Sequence, residues 1–146
     1  MPKEISDNEA LQFGISTNHE LMENGEKRFR LISSDETSYI RIEASENGGW
    51  QNSHLHSSVR EMCIIQKGRV FFAEEKNGKV QFYKYEKGDF FIAQSNIPHN
   101  VYASGGTITH TVKYGDIENN DWIACPELDK ITKILSEYEV LELAKP

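Results

Sequence analysis

The stretch from Gly48 to Gly68 reads GGWQNSHLHSSVREMCIIQKG, and the rest of the chain is organised around it. It contains His54, His56 and Glu61. Side chains alternate between the faces of a β-strand, so His-x-His sets both imidazoles on one face. Glu61 opens the next apolar run, EMCII, after a short polar turn. A second stretch, GDFFIAQSNIPHNV from Gly88, adds His99. Three histidines and a carboxylate in two β-rich segments suit a divalent transition metal rather than calcium or magnesium.

Outward from this stretch the pattern stays β. SYIRIEA upstream alternates, with Ile40, Ile42 and Ala44 on one face and Tyr39, Arg41 and Glu43 on the other. RFRLI, from Arg28, predicts a first strand, and SSDET after it a turn. CIIQKGRVFFA predicts two strands meeting near Lys67-Gly68. Asn77-Gly78 between VFFAEE and KVQFYKY is a type I′ hairpin signal. Gly105-Gly106 between two further β-prone runs predicts a second hairpin. Many short strands with Gly-rich turns indicate an all-β barrel or sandwich.

The ends differ. SDNEALQF predicts a short helix, and Asn24-Gly25 a turn. Near the other end Pro126 fits the first helical position, with Glu127 and Asp129 in the first turn. Leu128, Ile131, Leu135 and Tyr138 recur at helical spacing and predict one apolar face packed outside the barrel. The expected organisation is a single domain over 1–146: an N-terminal arm and first strand in 1–37, a barrel in 38–115, and an extension with a helix in 116–146.

The totals narrow the function classes. The chain has 146 residues and a formal net charge of −7. This charge argues against nucleic acid or an anionic membrane as partner. It leaves an anionic small substrate open, because a metal and local arginines outweigh the global field at short range. Two unpaired cysteines, Cys63 and Cys125, and a polar, acidic start point to a reducing cytoplasm. No apolar run is long enough to span a bilayer.

The two stretches resemble the paired motifs of the cupin superfamily. Gly48, His54, His56, Glu61 and Gly68 fall at the spacings of the first motif. In the second, Gly88 and His99 keep the outer spacing, while Ala93, Gln94 and Ser95 replace the usual proline-rich turn. Asn96 stands for its glycine, and Asn tolerates a left-handed backbone. The trailing Asn of that motif is missing. The match covers about Gly48 to Tyr114. It implies a double-stranded β-helix, or jelly-roll barrel, with His54, His56, Glu61 and His99 as ligands of one Fe, Mn, Ni, Co or Zn ion. It also implies a homodimer.

Outside the motifs, a two-residue turn at Gly105-Gly106 would pair Val101 with His110 and turn His110 into the barrel. There it is either an acid–base group or a hydrogen-bonded core residue. A change of one residue in the turn would flip it outward. Tyr83 and Tyr85 share a face with Gln81 that the resemblance makes inner, for substrate binding or for packing. Cys63 should also face inward as a small apolar residue. Trp50 and Arg60 flank the histidines and are candidates for the mouth. His19 receives no role, and Asp121 and Trp122 are read as capping or packing residues.

Two functions compete. One is a mononuclear metalloenzyme, a dioxygenase or an isomerase or lyase, acting on a small polar molecule. The other is a non-catalytic cupin that binds or senses a small molecule. A cupin-like fold is compatible with both.

Overall fold

The alternation in SYIRIEA forms a strand, Ser38–Glu43, at the middle of a six-stranded antiparallel sheet. The computed structural model describes residues 1, 3–115 and 121–145. Of the expected extension from 116 onward, residues 116–120 and 146 lie outside the described residues. In chain order the elements are α1 (Asp7–Gln12), β1 (Ile15–Leu21), β2 (Lys27–Ser33), β3 (Ser38–Glu43), β4 (Gly49–Trp50), β5 (His54–Leu55) and β6 (Val59–Lys67). They continue with β7 (Arg69–Lys76), β8 (Lys79–Glu86), β9 (Phe90–Ala93), β10 (His99–Ala103), β11 (Ile108–Gly115), β12 (Ile123–Ala124), α2 (Pro126–Thr132) and α3 (Glu137–Leu143).

The strands form two facing sheets, in the order β1-β2-β3-β11-β6-β9 and β12-β5-β10-β7-β8, with β4 also pairing β10. Asn77 and Gly78 both have positive φ, as the hairpin between β7 and β8 requires. The motif glycines are fixed by crowding. Gly48 and Gly68 both have positive φ, and a Cβ at either would collide with Ala103 or Thr107 across the barrel. Asn96 takes the left-handed backbone expected of it, with φ 62°.

Registers put one continuous face of the first sheet inside. Glu61 pairs with Lys113, Cys63 with Thr111, and on β3 Ile40 pairs with Thr111. β2 carries the row on, with Arg30 beside Ile40 and Arg28 beside Ile42. The stretch before the first motif is therefore part of the sheet. β1, which the sequence reading did not mark as a strand, pairs with β2 along its whole length.

The barrel interior holds Cys63, Ile65, Val70, Phe72, Phe91 and Ala93. A second core lies outside it, where Phe71, Ala73, Phe82 and Tyr102 meet Val140 of α3. This is the outer packing expected for the tail, with one correction. The tail is two helices, because Ser136 and Glu139 form a capping box that starts α3 afresh. The phase changes there, so Leu128 and Val140 are buried while Ile131 and Tyr138 of the expected apolar face are exposed.

The second expected hairpin is absent. β10 pairs with β7 and β11 with β3 and β6, so Gly105-Gly106 joins the two sheets at a corner. The inward residues of β11 are then Thr109, Thr111 and Lys113. His110 faces outward, against Tyr39 and Gln66.

Candidate metal centre

His54 opens β5, His56 follows it before the turn into β6, Glu61 lies near the start of β6, and His99 opens β10 opposite His54. The four bring one ligand atom each to within 4.8 Å of one another. Octahedral ligands at about 2.1 Å from an ion stand roughly 3.0 to 4.2 Å apart, so a small contraction closes the shell.

The backbone orients each imidazole. His54 Nδ1 meets the carbonyl of Asn52 at 2.9 Å, and His99 Nδ1 meets that of Ile97 at 3.0 Å. His56 Nδ1 meets the carbonyl of Asp121. Carbonyls only accept, so each Nδ1 carries a proton, and in the neutral ring that a metal requires each Nε2 offers its lone pair to the cluster. His56 Nε2 then faces the Glu61 carboxylate with no donor between them, and it is a buried atom without a hydrogen-bond partner. Two acceptors in contact call for a positive charge between them. A divalent ion fits that position, and the donor set of three imidazoles and one carboxylate suits a transition metal.

The electrostatics agree. Burial works against the Glu61 charge, but His54 and His56 outweigh it and hold the carboxyl well below the usual range. Burial likewise pulls His56 down, but Glu61 outweighs it and leaves it raised. His99 is pushed down to about 4, first by burial and then by His54, so it is neutral at neutral pH. Burial pushes the Cys63 thiol up to about 12 and keeps it protonated.

Asp121 is a supporting residue whose role the sequence reading reduced to capping or packing. Its carboxylate accepts the backbone N–H groups of Ser57, Ser58 and Val59. Burial works against this charge, yet Ser57 and Ser58 outweigh it and hold the carboxyl well below its usual value. Asp121 thus ties the turn between His56 and Glu61 while its carbonyl fixes the ring of His56. Trp122 stacks on His54 with ring centroids 5.4 Å apart.

The cluster lines a cavity of about 390 Å³ between the sheets. Val101, Phe91 and the isoleucines of β2 and β3 form its apolar wall, and Arg28, Arg30 and Lys113 its cations. Arg28 and Arg30 were read only as part of a strand; their inward aim follows once β2 is registered on β3.

The expected catalytic residues lie elsewhere. His110 is outside the barrel, for the register reason given above. Tyr83 and Tyr85 are on the inner face but pack behind the cavity wall, and neither lines the cavity. Tyr85 stacks on Phe91 at 4.8 Å, and the Tyr83 hydroxyl donates to Gln81. Trp50 turns to the outer core, donating to the Leu135 carbonyl, and Arg60 lies over the Tyr114 ring.

The fold has solved relatives. Oxalate decarboxylase from Lactobacillus farciminis, in a formate complex, superposes with a TM-score of 0.61 at 14% identity, covering 87% of this chain and 41% of that one. The Drosophila melanogaster CENP-C cupin domain superposes with 0.55 at 9% identity, covering 67% and 70%. This chain has the cupin fold. KdgF from Halomonas sp. is a further match, with 0.54 at 15% identity over 70% of this chain and 89% of that one. No protein-family model matches the sequence. No curated protein matches it either. Among the described residues, no helix is long and apolar enough to cross a membrane.

Proposed function

We propose that this cupin is a mononuclear divalent-metal enzyme acting on a small polar molecule in the barrel cavity, as a dioxygenase or as an isomerase or lyase. One observation carries the reading: three imidazoles locked by their Nδ1 protons converge with Glu61, leaving the buried His56 Nε2 without a partner. The metal is Fe, Mn, Ni, Co or Zn. When bound, it supplies Lewis-acid polarisation of a substrate oxygen or, as iron, access to dioxygen. Four protein donors leave octahedral positions for substrate. Lys113, paired with Glu61 on the neighbouring strand, is a proton-carrying side chain beside the cluster in register.

The cellular setting is the cytoplasm, in keeping with two free cysteines. The assembly is a homodimer. The outer face of the first sheet leaves Phe29, Leu31, Tyr39, Ile64 and Phe90 exposed, an apolar area of the kind an interface covers.

Metal analysis of untagged protein tests the central claim. The expected result is about one transition-metal ion per chain, lost in His54→Ala/His56→Ala. Failure to hold or take up metal under reducing, anaerobic conditions refutes it. Oxygen consumption by the iron form selects the dioxygenase, and anaerobic turnover the isomerase or lyase. Ligand-dependent stabilisation without turnover selects the non-catalytic binder.

A further inference from the structure

Strand β2 sends two arginines into the same cavity as the histidines, and they are not equivalent. Arg28 spends its fork on Glu26, with Nε and Nη2 at 3.2 and 3.0 Å from one carboxylate oxygen. Glu26 is 2% exposed and also accepts from Gln51, so this is a closed internal pair. Arg30 is held differently. Its side chain is 16% exposed, and only Nη1 is engaged, by Glu20 at 2.5 Å. Glu20 itself is 44% exposed, so water weakens its hold on the guanidinium. The other donors of the Arg30 fork have no partner among the described residues.

Lys113 adds a second cation. It lines the cavity beside Glu61 and Ser38 in register, and it makes no ion pair among the described residues. If Glu61 gives its charge to a metal ion, Lys113 has no counter-charge left beside it. The chain as a whole carries −7, which repels anions at a distance. A half-buried guanidinium and ammonium on the wall of this cavity run against that balance. Lys113 is costly to leave unpaired and Arg30 is paired only through Nη1 with the exposed Glu20, and an anion in the cavity relieves both.

We propose that the cavity takes a small organic carboxylate, whose carboxylate group is held by the Arg30 fork while its other end reaches the metal position beside Lys113. This rests on the reading of His54, His56, Glu61 and His99 as a metal centre. Arg30 and Glu61 are three strands apart and two residues out of register, which is roughly 16 Å between Cα atoms along the sheet. Both side chains reach inward from their strands, so the remaining gap suits a ligand of a few carbons. By register the residues between them are Ser38 and Ile40 of β3 and Thr111 of β11, with Ile32 next to Arg30 on β2, so the path is part apolar and part hydroxyl-lined. One planar fork matches a carboxylate in two parallel hydrogen bonds. A phosphate group, with more charge and three acceptor oxygens, asks for more donors than Arg30 offers.

The test uses the metal-loaded full chain, with malonate, succinate and glutarate as probes and succinamide and inorganic phosphate as controls. Binding is read by calorimetry and thermal shift. Metal content is measured before and after, so that chelation is not taken for binding. The expected result is that one of the diacids binds and its neutral diamide does not. Arg30→Gln should then bind that diacid about ten- to a hundred-fold more weakly while keeping its metal and its melting temperature. Arg30→Lys should fall between, because it keeps the charge and loses the fork. Unchanged affinity in Arg30→Gln overturns the proposal. So does binding of phosphate alone, or no binding of any diacid at millimolar concentration. A chain that takes up no metal but still binds a diacid through Arg30 sinks the metal reading and keeps the anion site. A chain that holds metal but ignores Arg30 does the reverse.

Discussion

Asp121 offers the sharpest perturbation, because its carboxylate serves three amides and its backbone carbonyl a histidine. Replacing it by Ala removes the acceptor for the N–H groups of Ser57, Ser58 and Val59. Val59 is fully buried, so its N–H cannot turn to water, whereas the exposed Ser57 can. Hydrogen bonds to a charged group contribute about 1.5–3 kcal/mol, and an orphaned buried donor costs a similar amount. One amide stranded and two rehydrated give a loss of roughly 2–4 kcal/mol for Asp121→Ala. Urea unfolding of metal-stripped protein measures it.

The pH dependence follows with its sign. The folded carboxyl titrates below its unfolded value of about 3.9, so its stabilisation is fully present above that value. It is lost as pH falls below 3.9 towards the folded value. Asp121→Asn keeps the shape but not the charge. Its deficit against wild type should therefore be constant above about pH 5 and shrink below pH 4. The His56 ring is also held by the backbone at this residue, so both variants should bind metal about 10–100-fold more weakly, as for other supporting contacts to a ligand. If Asp121→Ala unfolds within about 0.5 kcal/mol of wild type, or the Asn deficit is the same at pH 3 and pH 7, the carboxylate does not hold this turn.

Two further predictions concern the outer face of the first sheet. His110→Ala should leave metal content and turnover unchanged and cost about 1 kcal/mol, since it loses only bonds to Tyr39 and Gln66; metal analysis and urea unfolding check this, and loss of metal would put His110 back in the site. Ile64→Lys places a charge in the exposed row that runs from Phe29 through Arg41, His110 and Ile64 to Phe90. Sedimentation should find a wild-type dimer and a largely monomeric variant, and a monomeric wild type would refute the homodimer.

The four-residue cluster was legible because its signal is local. His-x-His on one strand, a carboxylate a turn later and a distal histidine after a bend place donors by spacing alone. Faces within a strand were legible for the same reason: Ile40 and Ile42 point inward as their alternation requires. The errors lie where pairing between distant strands decides. Gly105-Gly106 flanked by β-prone runs has the composition of a hairpin and of a corner alike. What separates them is that β10 is claimed by β7 and β11 by β3 and β6, and those partners lie 25 to 75 residues away in the sequence. A strand that changes sheet also changes which of its faces is inside, so His110 moved outward and Thr109, Thr111 and Lys113 moved in.

The same rule explains why the cavity's cations escaped a sequence reading that had allowed for local arginines. RFRLI is polar at two of its alternate positions, and an isolated amphipathic strand would turn Arg28 and Arg30 to water and Phe29 and Leu31 towards the core. The register on β3 reverses this assignment: Phe29 and Leu31 lie on the exposed face, and the arginines face the cavity. Each side of β2 thus breaks the usual pattern, and each break has a physical consequence. Burying Arg28 is compensated by the still more deeply buried Glu26, so that pair is internally closed. Arg30 and Lys113 have no buried carboxylate of their own beyond Glu61 of the histidine cluster, and exposing Phe29 and Leu31 costs solvation that only a covering surface returns. A strand inverted against its own hydrophobicity is destabilising unless both faces meet a partner. That is the physical reason for expecting an anion inside this barrel and a second chain outside it.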